Sequence, residues 1–461
     1  MTSNDLTHQR PADPTDHPRP WLVLAVCAMA LFLVGLDTTI VAVALPDIGD
    51  DLDIGLGRLA WVVDAYTLTV ASLMISAGAV ADRFGRRRVF RWGLAIFGAA
   101  SAVAALAPTA AVLIGARVVQ GVGGAMLAPV ALAIVVNVFT DPRRRAQAIG
   151  VWASVFGISM AAGPLLGGAL IEAFGWRAVL WVVVPFVVLT WLATFAVVPE
   201  SIAAQPRQLD PLGQVLAITI IAGLVGLLIE GGQRGALSSW MAVGALVVVV
   251  AGVAFWRVES LVAQPLIELE LFRAGSFRGA VAGAVATFIA LTVTIVVMSV
   301  HLQRHLGLTP LAAGLTLLAL AAGATLCAPM SGALVGRRGP RPPLVVAGSA
   351  LLIGGVAGAV ASSASSAWPI IPGLIAVGIG FGFANPPLTA TAVAGLPLDR
   401  SGVAGGIVAA SRQVGAAIGA AVAGVLLAGH VVAGPLMPSG LVVVACGVVV
   451  LVVGRGHAAA R

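Results

Sequence analysis

Apolar runs of membrane length recur along nearly the whole chain, and this recurrence limits the fold more than any other feature. A helix needs about 20 residues to cross a hydrocarbon core of about 30 Å, and its backbone groups must bond to one another there. The runs cover residues 21–45, 58–81, 90–108, 110–138, 146–171, 177–198, 212–231, 240–258, 277–300, 308–336, 342–361, 367–393, 401–428 and 437–454. The sequence therefore predicts an all-α integral membrane protein with fourteen transmembrane helices.

The composition supports this prediction, because hydrophobic residues make up 59% of the chain and charged residues only 10%. Soluble domains carry roughly 25% charged residues. The first run, at 21–45, is too long for the apolar core of a cleaved signal peptide, which spans about 7 to 15 residues. We therefore expect a retained first helix, preceded by a disordered tail at 1–20.

Arginine supplies all 26 basic side chains, and the chain contains no lysine. A Walker A loop and a Schiff-base cofactor each require a lysine, which excludes ATP drive within this chain and bound pyridoxal phosphate or retinal. Most arginines fall in loops on the side of the N-terminus, so the positive-inside rule predicts both termini in the cytoplasm, with a short tail at 457–461. The basic balance then reflects topology, and no nucleic-acid partner is expected.

The cysteines and histidines show no pattern of paired thiols or metal ligands. Cys27, Cys327 and Cys446 lie in separate apolar runs and are expected to pack as small hydrophobic residues. His301 and His305 are four residues apart, but they flank a predicted loop, where exposure to water explains them. We expect no bound metal and no cofactor.

Asp37 is the one carboxylate in the first apolar run, and a charge there needs a partner. An ionisable group inside a bilayer costs about 2.5–3.5 kcal/mol on insertion scales and by default marks an ion or substrate pathway. Arg117 in the fourth run lies at a similar depth and must keep its proton, so Asp37 is its predicted partner. Asp64 in the second run lies near the same depth. Two acids at one depth favour proton exchange by one of them, and we expect Asp37 to be the main proton carrier, with Arg117 tuning its affinity for the proton. For Asp64, exposure in an external vestibule is an equal alternative.

The polar segment GAVADRFGRRRVFR at 78–91 joins the second and third runs. Positive-inside charge accounts for its arginines but not for its glycines or its aspartate. The segment resembles the loop signature of the major facilitator superfamily, in which acidic and basic residues pair across the cytoplasmic face. The resemblance implies a cytoplasmic gate formed by Gly78, Asp82, Arg83, Gly85, Arg86 and Arg87.

Two further segments resemble helix motifs of the same superfamily. RVVQGVGGAMLAP at 117–129 is similar to a fourth-helix motif associated with proton coupling, which implies such a role for Arg117. GISMAAGPLLGG at 157–168 is similar to the signature of the exporting, antiporting branches. Generic packing of small residues produces related patterns, but a helix-bending proline among four glycines is more specific. The implied motif residues are Gly157, Gly163, Pro164, Gly167 and Gly168.

The second half repeats the loop signature. GALVGRRGPR at 332–341 aligns with GAVADRFGRR at 78–87, so that two glycines and an arginine fall at matching positions. Gly336 stands where the first copy has Asp82. We therefore expect weaker charge pairing in the second copy and unequal gating by the two halves.

Fourteen spans, LDTTIVAVALP at 36–46 and the helical segment at 401–421 together resemble the fourteen-helix drug:proton antiporter branch. The resemblance covers nearly the whole chain. It implies the major facilitator fold, with two six-helix bundles at 21–200 and 272–456 and two inserted helices within 201–271.

The implied function is export of lipophilic drugs or antibiotics in exchange for protons, by alternating access across the plasma (inner) membrane. The expected partners are a small-molecule substrate, protons and membrane lipid; the protein is expected to be a monomer and not an enzyme. The residues predicted for the substrate cavity are Gln120, Asn385 and Arg412, with a purely structural pairing as an equal alternative for Arg412. A dedicated exporter of one metabolite or self-made antibiotic, and a non-transporting sensor on the same scaffold, are the alternative functions.

Overall fold

The protein, described here by a computed structural model, is built almost entirely of helices. The described residues are 19–55, 59–202, 210–234, 239–262, 265, 267–361, 366–394, 398–428 and 436–456. Within them, fourteen helices are long and apolar enough to cross a membrane, which confirms the predicted number of spans. The predicted tails at 1–20 and 457–461 lie outside the described residues, apart from Arg19 and Pro20.

The first six spans contain seven helices. They are α1 (Pro20–Asp51), α2 (Ala60–Phe84), α3 (Arg86–Ala105), α4 (Ala110–Val138), α5 (Pro142–Phe174), α6 (Arg177–Trp181) and α7 (Val183–Val197). The sequence predicts one continuous helix over 177–198, whereas the structure breaks it at Val182. The physical reason is Pro185, which has no N–H to bond the carbonyl group of Trp181 four residues earlier.

The remaining eight spans each contain one long helix. They are α8 (Pro211–Arg234), α9 (Ser239–Leu261), α10 (Gly275–Val300), α11 (Pro310–Arg338), α12 (Arg341–Val360), α13 (Ile371–Val393), α14 (Leu398–Ala428) and α15 (Leu436–Gly456). A π-helical turn, His301–His305, extends α10. Side-chain caps fix two of the helix starts in the chain, since Asp141 accepts from the backbone N–H of Arg144 at α5 and Thr309 accepts from that of Ala312 at α11.

The helices α1–α7 pack among themselves, and α10–α15 form a second group. The two groups meet along three seams, where α1 contacts α10, α2 contacts α14 and α5 contacts α11. We call the face where α1 begins and α15 ends the terminal face, and the opposite face the far face. The exact domain limits at 200 and 272 stay predictions.

The inserted helices lie outside both groups. Helix α8 packs against α2 and α14 and so covers one seam, while α9 packs mainly against α8. Gln214 of α8 donates a hydrogen bond to the carbonyl oxygen of Ser72 and accepts one from the hydroxyl of Ser76, both on α2. Val225 is fully buried against Ala417 of α14 and its neighbours. Helix α8 is therefore attached to α2 by polar and apolar contacts and to α14 by apolar ones.

The two copies of the loop signature have the same backbone turn. Gly85 ends α2 with φ 102° and Gly339 ends α11 with φ 78°. Residues with a Cβ rarely adopt such positive φ values, so glycine is the residue that ends the helix and turns the chain there. The predicted alignment of the two halves therefore places equivalent residues at equivalent turns.

Candidate functional site

Asp37 and Arg117 form an ion pair in the interior of the first helix group. A guanidinium nitrogen of Arg117 lies 2.6 Å from Oδ2 of Asp37, and the side chains are 1% and 0% exposed. Helix α1 supplies the acid and α4 the base. The structure thus brings together the two residues that the depth argument paired.

Gln120 completes this buried network. Its amide oxygen accepts from Arg117 at 2.7 Å, and its amide nitrogen donates to Oδ1 of Asp37 and to the hydroxyl of Ser101, each at 2.8 Å. The spacing of three residues places Gln120 beside Arg117 on one face of α4. The structure therefore puts Gln120 inside the first group, and its predicted contact with substrate stays a prediction.

Helix α2 holds Arg117 from another side. The Nε–H of Arg117 donates to the carbonyl oxygen of Val62 at 3.1 Å, and the guanidinium carbon lies 4.5 Å from the ring centre of Tyr66. The network therefore joins α1, α2, α3 and α4. Removing one charge from such a pair leaves the other buried without compensation, which costs about 3–5 kcal/mol in measured cases.

Asp64 has a different environment. It is 0% exposed, and neither carboxyl oxygen has a hydrogen-bond partner within the described residues. It lies one helical turn from Ala60 on the α2 face that packs against Val225 of α8 and Ala417 of α14. Asp64 is thus buried at the covered seam, and it does not face an open vestibule in this conformation.

A cavity of about 40 Å³ lies between the two helix groups. Its polar lining side chains are Thr38, Thr39, Thr67, Thr292 and Gln413. A drug-sized ligand needs a pocket of about 300–1,000 Å³. This central cavity is therefore too small for a drug-sized molecule, and we call the arrangement the closed conformation.

Polar contacts close the far face between the halves. The side-chain amide of Gln303 donates to the carbonyl oxygen of Val43 at 3.0 Å, and Arg304 donates to that of Pro46 at 3.1 Å. Arg304 also pairs with the carboxylate of Asp50. The π-helical turn after α10 thus clamps the end of α1, a contact that no sequence motif indicated.

His301 corrects a prediction made from the same turn. The sequence predicts that both histidines flank a solvated loop, but the structure buries His301, with 6% of it exposed. Its ring stacks on that of His305 with the centres 5.2 Å apart. The π-helical turn directs the two rings to one side of the helix and His301 inward.

The glycines of α5 face two different neighbours. A Cβ on Gly163 or Gly167 would meet Thr39 or Ile40 of α1, within the first group. A Cβ on Gly168 would lie 2.6 Å from backbone atoms of α11, in the second group.

The middle of this seam carries a hydrogen bond as well. The hydroxyl of Thr325 on α11 donates to the carbonyl oxygen of Gly157 at 3.0 Å, and Gly314 of α11 packs directly against the carbonyl group of Pro164. The predicted antiporter motif is therefore the surface along which α5 approaches α11 most closely, while its other glycines face α1.

The first loop signature is held by ion pairs. Asp82 accepts two hydrogen bonds from Arg86, at 2.9 and 3.0 Å. The carboxylate of Glu200, after α7, accepts from the backbone N–H of Arg87 at 3.0 Å and lies 3.8 Å from the side chains of Arg87 and Arg88.

Glu200 is a partner that no sequence motif indicated. Its position 113 residues away in sequence from Arg87 gave no local signal. Arg83 stacks on Phe84, with its guanidinium carbon 5.8 Å from the ring centre. No described atom lies within 4 Å of where a Cβ on Gly78 would stand, so close packing there does not occur in this conformation.

Arg412 and Asn385 lie in the second group and are linked through Thr389. Arg412 of α14 donates to the hydroxyl of Thr389 on α13, whose hydroxyl is one turn from Asn385. Asn385 donates to the carbonyl oxygen of Phe381 in its own helix. In this conformation Gln413 lines the cavity instead of these two residues, and their predicted roles stay predictions.

Comparison with known proteins gives the family. The sequence model described as Major Facilitator Superfamily matches residues 27–420. The multidrug resistance protein Stp of Mycobacterium tuberculosis is 36% identical over 411 residues, which cover 88% of this chain and 76% of Stp.

Two further relatives agree with this result. The multidrug efflux pump LfrA of Mycolicibacterium smegmatis is 33% identical over 423 residues, which cover 92% of this chain and 84% of LfrA. The tetracenomycin C resistance and export protein of Streptomyces glaucescens is 32% identical over 437 residues, covering 92% of this chain and 80% of that protein. The chain is therefore a multi-pass membrane protein that belongs to the Major Facilitator Superfamily.

Proposed function

We propose that the protein exports lipophilic drugs or antibiotics across the plasma membrane in exchange for protons. Relatives named for drug efflux and resistance, aligned over most of the chain, support the export of small molecules. The observation that carries the coupling to protons is the contrast between two buried acids. Asp37 has a cation and an amide as partners, whereas Asp64 has none in the described structure.

The environment of Asp64 indicates its state in the closed conformation. An ionised carboxylate that is removed from water without a donor or a cation is strongly disfavoured. Asp64 is therefore protonated here. When α2 and α14 separate at this seam, water reaches the carboxyl group and the proton can leave. Asp64 thus carries a proton between the closed and the open conformations.

Asp37 is the second proposed coupling residue. Its charge is neutralised by Arg117 in the closed state, so it exchanges a proton only when the network loosens and Arg117 takes another anion or water. Because the network joins four helices, a change in it is transmitted through the whole first half. Asp37 and Arg117 therefore link protonation to the shape of this half.

The terminal face lies in the cytoplasm in this proposal. Exposed arginines, among them Arg88 and Arg338, mark that face. The far face is clamped shut, so the closed conformation opens toward the cytoplasm to load substrate and then toward the outside to release it. One proton moved through about 150 mV supplies roughly 3.5 kcal/mol, which sustains a several-hundred-fold gradient of a neutral substrate.

Transport by the purified protein in vesicles tests this proposal. A lipophilic cationic dye is loaded, a pH gradient is imposed, and dye movement and proton movement are both recorded. We expect dye export that is driven by the gradient and lost in Asp64→Asn, with Asp53→Asn, an exposed acid on the far side, as the matched control. Full gradient-driven export by a folded Asp64→Asn protein would refute the role of Asp64, and the absence of dye-dependent proton movement in the unmodified protein would refute proton coupling.

A dedicated exporter of one antibiotic is a second candidate, because some relatives are named for single compounds, tetracenomycin C and methylenomycin A. Competition of a panel of antibiotics and lipophilic cations for dye export separates the two. Inhibition by many unrelated compounds supports broad export, and inhibition by one chemical class alone supports the dedicated exporter.

A further inference from the structure

Among the residues that the structure describes, Arg91 on α3 has no anionic partner. The structure gives it no ion pair and no hydrogen bond within the described residues, and its Nε–H is buried without an acceptor. The neighbouring arginines differ, since Arg86 is paired with Asp82, and Arg88 lies near Glu200. Arg91 therefore has unused capacity to bind an anion.

Two aromatic rings of α7 hold the guanidinium group of Arg91 in place. Its central carbon lies 3.3 Å from the ring centre of Phe195 and 5.5 Å from that of Trp191. These rings are themselves arranged edge to face, 4.8 Å apart. Cation–π contacts orient the planar guanidinium and exclude water from one side, while its N–H groups remain free to bind a ligand in the plane.

The location of Arg91 specifies the surroundings of that ligand. Arg91 lies five residues inside α3, about 8 Å from the helix start at the terminal face. Helices α3 and α7 are in direct contact about two turns deeper, because Gly98 leaves room for Val187. The site thus lies in the outer groove between two membrane-spanning helices, near the end of α3 at the terminal face.

An apolar surface continues from Arg91 toward the centre of the membrane. Leu192 and Phe195 on α7 are 53% and 47% exposed, and Trp92 on α3 is 52% exposed. Ala95, one turn beyond Arg91, is exposed and small, so no large side chain fills the surface at that position. This surface fits an acyl chain, whereas a soluble anion would gain nothing from it.

We propose that the groove between α3 and α7 binds one anionic phospholipid, with the phosphate at Arg91 and an acyl chain along Ala95 and Leu192. Arg88 is the second cation of the site, since its side chain is 69% exposed and lies on the same side of α3 as Arg91. Basic pockets between transmembrane helices recognise lipid headgroups in this way.

Native mass spectrometry of the full-length protein in detergent tests the proposal with three probes, phosphatidylglycerol, phosphatidylcholine and inorganic phosphate. We expect a retained phosphatidylglycerol adduct whose affinity falls about tenfold in Arg91→Gln. Arg338→Gln is the matched control, because it removes an exposed arginine from the last turn of α11 at the same face. Phe195→Leu keeps the charge and removes the ring, and it should weaken the adduct by a smaller factor.

Three results would overturn the proposal. Equal retention of phosphatidylglycerol by Arg91→Gln and by the unmodified protein would remove the site. Equal binding of phosphatidylcholine would show that charge is not recognised, and equally tight binding of inorganic phosphate would assign the site to a soluble anion. If Arg91→Gln does not fold, the Phe195→Leu variant provides the test. An unchanged affinity for phosphatidylglycerol in that variant would contradict the proposed site.

Discussion

Each half of the protein has an arginine within its membrane spans, buried in the first half and half-buried in the second, and the two arginines differ in their partners. Arg117 in the first half bonds a carboxylate, an amide and a backbone carbonyl and lies over a tyrosine ring. Arg412 in the second half bonds the hydroxyl of Thr389, and its Nε–H has no acceptor within the described residues. The cation of the first half therefore holds helices together, whereas the Nε–H of the second half's cation has no acceptor among the described residues.

The same difference recurs at the loop signatures. Asp82 pairs with Arg86 in the first copy, whereas the second copy has Gly336 and, four residues later, Pro340. The second copy therefore lacks both members of the pair. The two copies therefore share a backbone turn, but only the first copy has the ion pair beside it.

The largest expected effect comes from breaking the pair in the first half. Arg117→Met leaves Asp37 buried without a counter-charge, so we expect the protein to lose about 3–5 kcal/mol of stability and most of its folded yield. Thermal unfolding in detergent measures the loss. The comparison fails if Arg412→Met, the matched variant in the second half, is as destabilising as Arg117→Met.

The double variant Asp37→Asn with Arg117→Gln sharpens this test. It removes both charges and keeps polar groups that can bond to each other, so it should recover a large part of the loss seen in Arg117→Met. If the double variant is as unstable as Arg117→Met, the broken ion pair is not the source of the lost stability.

The next largest effect is expected where the halves touch. Gly168→Ala places a methyl group against backbone atoms of α11, which cannot rotate away, so the seam must open. The labelling rate of a cysteine introduced on the far face should rise severalfold. Gly167→Ala is the control within the first half, because its methyl group meets the flexible side chain of Ile40. Equal accessibility in the two variants would contradict the assignment of these glycines to different neighbours.

A smaller effect on stability is expected at Arg412. Arg412→Gln removes a cation but keeps a hydrogen-bonding group near Thr389, so we expect a loss of about 0.5–1.5 kcal/mol, the value of one hydrogen bond. Export of anionic substrates should fall relative to cationic ones in the vesicle assay. A uniform change for all substrates would instead support the structural role of this residue.

The smallest effect is expected at the loop signature. Asp82→Asn breaks a partly exposed pair with i, i+4 spacing, which costs about 0.3–0.5 kcal/mol. Gly336→Asp in the second copy should give no matching gain, because Pro340 stands where the arginine would be needed. Denaturation midpoints measure both changes, and a clear stabilisation by Gly336→Asp would show that another cation reaches this loop.

The sequence was sufficient to predict the spans and the pairing of Asp37 with Arg117. Apolar length determines the number of crossings, and depth along a helix can be counted in residues. It was not sufficient for the direction of Gln120, for the neighbours of the α5 glycines or for Glu200. A helix that is apolar on every side does not encode which side meets its neighbour, so rotation about the helix axis and contacts distant in sequence emerge only from packing.

The pair in the first half has a consequence for synthesis of the protein. The ribosome adds the acid 80 residues before the base that neutralises it. Three helices must therefore be synthesised before Asp37 can form its ion pair with the fourth. The first half can therefore complete its buried network only when all four helices are present, and a nascent chain that ends before Arg117 lacks the cation that neutralises Asp37.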